Sequence, residues 1–334
     1  ALGPDYPGNA YVDFQRRLLG LQQRGFILVL CSKNNAADVD EVLDRHPHQV
    51  LRQQHFAAKR VNWEPKPDNL AALAAELNLG LDSFVFVDDS DYECEAVRRQ
   101  CPQIEVIQVP ARAVDVPTCL DRVARLEVLS LTAEDRAKTA LYAQERKRRE
   151  ASAGVPTGGD LSDYLASLGM KMRVALNPVG QLTRLAQLTQ KTNQFNLTTR
   201  RYDEQRMGGM LQADDWLVAS FSLADAFGDS GVVGLALFRL AGDERAELDT
   251  FLMSCRVIGR RAEAAFLQAL LRHLEGLGVR QIAAEFLPTA KNGLAQEFLT
   301  EQGFLPLPDG RLGRDLRDNP PAAESAFPIS VVTE

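Results

Sequence analysis

Between Tyr11 and about Leu129, apolar residues follow two alternating rhythms. Val12, Leu18, Leu19 and Leu21, set among Gln and Arg, predict a helix that Gly25 stops. Phe26-Ile27-Leu28-Val29-Leu30 then runs apolar without interruption, the pattern of a strand covered on both faces. The order repeats as a helix over 68–78, Gly80 as a stop, a strand over 83–87, a helix over 92–100 and a strand over 104–109. Repeated β-α-β units with two-sided strands predict an α/β fold with a doubly wound parallel sheet.

After this region the rhythm changes. Residues 131–149 predict a helix with Thr132 as N-cap and a basic C-terminus, and the small, Gly- and Pro-rich stretch 151–160 predicts a linker. Beyond it come a helix over 182–189, strands over 216–221, 232–240 and 246–255, a long helix over 261–277, a strand over 281–286 and a helix over 293–302. Consecutive strands followed by helices predict an α+β domain with a largely antiparallel sheet. The expected organisation is a first domain over 1–130, a linker helix and linker over 131–160, a second domain over 161–307 and a disordered tail over 308–334, rich in Pro, Asp and Arg.

Composition narrows the function. The chain of 334 residues carries 38 Lys+Arg and 45 Asp+Glu, a formal charge of −7, with no basic block, so the reading is no nucleic-acid partner. No apolar run approaches the roughly 18 residues that span a bilayer, so no membrane partner is expected. Five cysteines without CxxC spacing predict neither a disulfide framework nor a zinc site and suggest a reducing, cytoplasmic setting.

In doubly wound sheets the chemistry gathers at the carboxyl ends of the strands. The first strand ends in Cys31-Ser32-Lys33-Asn34-Asn35, and the strand over 83–87 runs into Asp88-Asp89-Ser90-Asp91. Between them lies Asn62-Trp63-Glu64-Pro65-Lys66. A hydroxyl, an ammonium and adjacent carboxylates suit phosphoryl chemistry with Mg²⁺: Ser32 and Lys66 neutralise phosphate oxygens, Asp88 and Asp89 hold a hard cation, and Asn34 and Asn62 line the mouth. The competing reading makes Ser32, Asn34 and residues 89–91 helix caps.

These residues resemble the later motifs of the haloacid-dehalogenase-like phosphohydrolases. The longer wording LGPDYPGNAYVDFQ, LCSKNN, NWEPKPDNL, VDDSDYE, KTNQFNLTTRR and FLMSCRVIGR is similar to the FkbH-like family, in which such a phosphatase domain is joined to an acetyltransferase-like domain. The resemblance implies Mg²⁺, 1,3-bisphosphoglycerate or a related small acyl phosphate as donor, and the phosphopantetheine arm of an acyl carrier protein in polyketide assembly as acceptor of a glyceryl unit. It also implies a first motif, Asp-x-Asp-x-Thr, carrying the phosphatase nucleophile. No such motif occurs in the 334 residues, and the reading expects a segment upstream of Ala1 to supply it.

In the second domain, Asn292 to Leu299 followed by Gly303-Phe304 resembles the closing motif of acetyltransferase-like folds. The loop Arg256-Val257-Ile258-Gly259-Arg260-Arg261 stands where that fold cradles a phosphate at a helix N-terminus, which nominates Arg256 and Gly259. Cys255, between strand end and helix and beside Arg256, is the first candidate for an acyl-accepting thiolate; Cys31 is the second, and a small buried residue is the competing reading. Asn193, Gln194, Asn196, Thr198 and Arg200 offer hydrogen bonds and charge to an acyl or pantetheine group, or else order their own loop. Asp229 reads as a general base or a turn residue. Two further functions compete with acyl loading: a plain Mg²⁺-dependent phosphatase, and a non-catalytic carrier-protein docking module.

Overall fold

The computed structural model describes residues 2–121, 123–127, 141, 142, 144, 148, 165–323 and 326–334. The chain divides into two compact units, Ala1–Arg149 and Glu150–Glu334. Most of the helix and linker expected over 131–160 lies outside the described residues.

The first unit runs α1 (Gly8–Gln23), β1 (Leu28–Ser32), α2 (Ala36–Arg45), β2 (Phe56–Val61), α3 (Lys66–Leu77), β3 (Val85–Asp88), α4 (Asp91–Gln100) and β4 (Glu105–Gln108). β1 pairs in parallel with β2, and β3 with β4. Apolar side chains cover both faces of β1, as its unbroken run requires. Val29 and Cys31 pack with Leu70, Leu73 and Leu77 of α3, while Leu28 and Leu30 pack with Leu18 and Leu43. All five residues of β1 nevertheless stay half-buried. Among the described residues β1 has no partner but β2, and β3 none but β4, so each strand keeps an open edge.

The second unit runs β5 (Met170–Leu176), α5 (Leu182–Lys191), β6 (Phe195–Asn196), α6 (Glu204–Gln212), β7 (Trp216–Asp225), β8 (Gly228–Gly242), β9 (Arg245–Met253), α7 (Ala262–Gly276), β10 (Gln281–Ala284), α8 (Phe298–Glu301), β11 (Leu305–Pro306), β12 (Leu312–Asp315) and β13 (Ile329–Thr333). Its sheet is ordered β11-β12-β10-β9-β8-β7-β5-β13, antiparallel except at β9/β10 and β5/β13. One face packs on α7 through Phe221, Phe251 and Phe266, and Phe298 stacks on Phe251 with ring centroids 5.2 Å apart. The other face packs on α5 and α6 through Leu185, Leu188, Met207 and Leu211.

The tail over 308–334 corrects the sequence reading, because two of its segments are strands of this sheet. Composition misled here: the Arg and Asp that suggest a solvated tail are engaged. Arg314, 5% exposed, donates to the carbonyls of Gln302, Asn319 and Pro320 and pins the turn after β12 to the end of α8. Arg317 pairs with Asp315 at 2.6 Å.

Candidate functional site

The sequence NWEPKP places Lys66 where its charge is otherwise unwelcome. Pro65 precedes the helix and Pro67 occupies its first turn, so Lys66 becomes the opening residue of α3. A cation at a helix N-terminus faces the positive end of the dipole and needs a compensating anion. Asp88, at the end of β3, supplies it: one carboxylate oxygen pairs with the Lys66 ammonium and the other accepts the Ser90 N–H at 3.0 Å. Both side chains are nine-tenths buried, and the ammonium lies 5.6 Å from the Phe86 ring centre.

The capping alternatives resolve at residue level. Ser90 caps α4 by accepting the Glu93 N–H at 3.4 Å, so neither Asp88 nor Asp89 spends its side chain on that cap. Asp89 is exposed beside Asp88. Asn35, rather than Ser32 or Asn34, stands at the N-cap of α2, and the Asn34 side chain accepts the Asn35 N–H instead. Ser32 ends β1, where its carbonyl accepts the Asn62 N–H at 3.2 Å. Asn62 exchanges amide hydrogen bonds with Asn69 at 2.7 and 3.1 Å, which fixes the turn leading to Lys66.

Two further groups at this end are legible only once the fold is known. Lys33 follows Ser32 and pairs with Glu93 at 2.6 Å. Trp63 donates its indole N–H to Asn35 at 3.4 Å. The result is a strand-end cluster built from one buried ion pair, one exposed carboxylate and several primary amides. Among the described residues no group of three His, Cys, Asp or Glu side chains is arranged to hold a metal. Asp88 and Asp89 are nevertheless hard oxygen donors of the kind Mg²⁺ takes singly or in pairs, alongside water and phosphate oxygens.

Cys31 packs against the core under α3 close to these charges, and its environment opposes a thiolate. Burial pushes its thiol up to about 11; the Lys66 ammonium offsets part of that rise, and the Asp88 carboxylate adds to it. The protonated form therefore dominates until the pH approaches that value. Alkylation of Cys31 by iodoacetamide at pH 8 is expected to be about 100-fold slower than for an unperturbed thiol, rising about tenfold per pH unit to pH ~11. Peptide mapping by mass spectrometry reads this directly, and rapid labelling at pH 8 would contradict it.

In the second unit the residues of the candidate phosphate loop are partly engaged within the fold. Cys255 opens a single helical turn, Cys255–Val257, and α7 begins only at Ala262, so the thiol does not stand at the N-terminus of the long helix. Arg256 is 7% exposed and directs its guanidinium to the Ser230 carbonyl at 3.4 Å. Arg260 is buried as well, paired with Asp225 at 3.1 Å and bonded to the Arg256 carbonyl at 2.6 Å. Gly259 has φ +84° and is exposed, a turn between the buried Arg256 and Arg260. The first turn of α7 already holds a carboxylate, Glu263, whose pKa burial raises above the usual carboxylate range and one of whose oxygens is buried without a hydrogen-bond partner.

The polar segment KTNQFNLTTRR is likewise turned inward. Asn196 is fully buried, donates to the Thr192 carbonyl and accepts the N–H groups of Thr198 and Thr199. Thr198 donates to the Asp249 carbonyl at 3.0 Å. Arg200 bridges Asp249 at 2.7 Å and Glu285 at 2.6 Å, while Asn193 accepts from Arg201. Phe195 and Asn196 form β6, which pairs with the end of β9 beyond the last residue that β10 pairs, so the loop completes the sheet. Gln194 is the exception, with a buried carbonyl oxygen that has no hydrogen-bond partner. Asp229 accepts the Gly231 N–H at 2.8 Å, as a turn residue does. Two cavities of about 390 and 470 Å³ share Trp216 and Ala213, and no candidate site residue lines either.

No family model matches the chain. No curated protein matches it. Among solved structures, the N-terminal part of BF1531 from Bacteroides fragilis, which contains a phosphatase domain and was crystallised with Mg, is similar. It is 34% identical over 39% of this chain and 35% of that chain, with a TM-score of 0.38. The ribosomal-protein-S18-alanine N-acetyltransferase from Escherichia coli is 18% identical over 42% of this chain and 88% of its own, with a TM-score of 0.32. A point mutant of the spermidine N-acetyltransferase SpeG from Vibrio cholerae is 14% identical over 43% of this chain and 94% of its own, with a TM-score of 0.34. No helix among the described residues is long and apolar enough to cross a membrane.

Proposed function

We propose that the first unit binds a small acyl phosphate at its strand-end cluster and passes the acyl group to a pantetheine thiol. The observation that carries this reading is the buried Lys66–Asp88 pair at the carboxyl end of β3, with Asp89 the next residue after that strand and Ser32 at the carboxyl end of β1. The resemblance of the sequence to the FkbH-like family supports 1,3-bisphosphoglycerate as donor and a carrier-protein arm as acceptor.

The residues present favour one half of the chemistry. Attack of a thiol on the acyl carbon forms a C–S bond and breaks the C–O bond to phosphate; phosphate leaves, and the thiol proton passes to solvent or to the departing phosphate. That reaction needs positive charge around the leaving oxygens, which Lys66 supplies, and no enzyme nucleophile on phosphorus. Asp88 and Asp89 would hold Mg²⁺, which when bound supplies further charge against phosphate. Removing a phosphate monoester is different, because it needs the attacking carboxylate of the Asp-x-Asp-x-Thr motif, which these 334 residues do not contain.

The direct route also follows from the cysteines. Burial pushes the Cys31 thiol up to about 11, and Cys255 opens a single short turn, not the long helix α7. We propose direct transfer to the acceptor thiol, with no acylated cysteine. The chain of this sequence, given Mg²⁺, is expected to release phosphate from an acyl phosphate in proportion to added pantetheine, and to leave p-nitrophenyl phosphate intact. Thiol-independent phosphate release from both compounds would favour the plain phosphatase, and none from either would favour the docking module.

A further inference from the structure

The most exposed aromatic side chains beside the strand ends of the first unit stand on the rim of the same cluster. Trp63 is 70% exposed and Tyr92 75% exposed. Trp63 lies in the turn just before Lys66, and Tyr92 in the first turn of α4 just after Asp88 and Asp89. The turn after β1 touches both. Asn35 accepts the Trp63 indole N–H at 3.4 Å, and the Lys33 ammonium lies 5.8 Å from the Tyr92 ring centre. Leaving an indole and a phenol in water forfeits the burial of large apolar faces, and each ring is held by a specific contact instead of packing inward.

The charges around these rings say what kind of ligand the rim suits. Lys33 is neutralised by Glu93, and Lys66, paired with Asp88, lies buried at the phosphate position and not on the rim. Glu64, Asp89 and Asp91 on the rim are carboxylates, so a second anionic group finds no welcome outside the phosphate position. What the rim offers beyond them is two aromatic faces and the primary amide of Asn34, while Asn35 is spent on Trp63 and Asp38, a combination complementary to an uncharged aliphatic chain bearing amide groups.

We infer that Trp63 and Tyr92 form the acceptor subsite, gripping an uncharged amide-bearing chain of the pantetheine type so that its thiol reaches the cluster. This deepens the acyl-transfer reading and rests on it. The rings are specificity determinants, since neither is placed to act on the phosphate.

Tryptophan fluorescence tests the subsite without relying on turnover. The chain has two tryptophans, so the difference between the wild-type chain and a Trp63→Phe variant isolates Trp63. Pantetheine, added with Mg²⁺ and inorganic phosphate, is expected to blue-shift Trp63 emission and protect it from acrylamide about threefold. Tyr92→Ala is expected to weaken pantetheine binding about fivefold while leaving the calorimetric affinity for phosphate unchanged. Trp63 equally open to acrylamide at saturating pantetheine, or Tyr92→Ala without effect, would overturn the subsite. Failure of inorganic phosphate with Mg²⁺ to bind would instead overturn the acyl-phosphate reading, and the fluorescence result would still decide the subsite.

Discussion

Replacing Lys66 with Met is expected to slow acyl transfer from an acyl phosphate to pantetheine by about 10²–10³-fold. The ammonium is buried at the strand ends of the first unit, and its partner Asp88 is as buried as it is. Met preserves the length of the stem and its contact with Phe86 but removes the charge. Removing one member of a buried pair also strands the other, at a cost of about 3–5 kcal/mol in stability. The double variant Lys66→Met with Asp88→Asn separates the two effects. It should regain most of the lost stability, read by urea denaturation, and stay as slow as the single variant. Recovery of activity together with stability would mean that the pair is only structural.

The second large effect is on the second unit. Gly234 in β8 stands opposite Phe221 in β7, and a Cβ at residue 234 would lie 1.9 Å from the nearest carbon of the Phe221 ring. Phe221 cannot withdraw, because it is fully buried and its ring centre lies 4.7 Å from that of Phe266 under α7. Gly234→Ala is therefore expected to destabilise the chain by about 3 kcal/mol, the upper range for overpacking a core. Adding Phe221→Leu, which clears the space, should return part of that loss. Equal stability of Gly234→Ala and the unaltered chain would show that the sheet can spread at this point.

The physical content of the sequence accounts for why some elements are legible and others are not. β1, β3, β8 and β9 carry apolar runs long enough to announce themselves, and α7 carries its stripe. β2 is hidden because FAAKRV begins with small alanines and carries two charged residues near its end, although Ala57 and Ala58 are fully buried in the core that α3 covers. β5 alternates Met170, Met172 and Val174 inward with Lys171 and Arg173 outward, a two-residue rhythm present in the sequence, yet the sequence reading assigned it no element. β13 follows a Pro-rich stretch whose composition suggested a tail.

The site divides in the same way. Lys66, Asp88 and Asp89 follow from strand-end position, since chain order alone brings consecutive strand ends of a parallel sheet to one side. Arg256, Asn196 and Thr198 are polar residues whose partners lie far along the chain or on its backbone. Thr198 meets Asp249, and Arg256 meets Ser230, contacts that no local pattern announces. A polar residue in a loop reads as available until the backbone carbonyl it satisfies is known. Trp63 and Tyr92 show the converse: an aromatic residue reads as core until its exposure is seen.

The central claim is direct transfer at the strand-end cluster of the first unit, with no acylated enzyme. Intact-protein mass spectrometry after incubation with the acyl phosphate and Mg²⁺, before and after pantetheine is added, tests it most directly. The account predicts an enzyme mass that never changes while acyl-pantetheine accumulates, with the same yield from Cys31→Ala and Cys255→Ala chains. An acyl adduct on the enzyme that forms without pantetheine, discharges when it is added and disappears in either cysteine variant would contradict it.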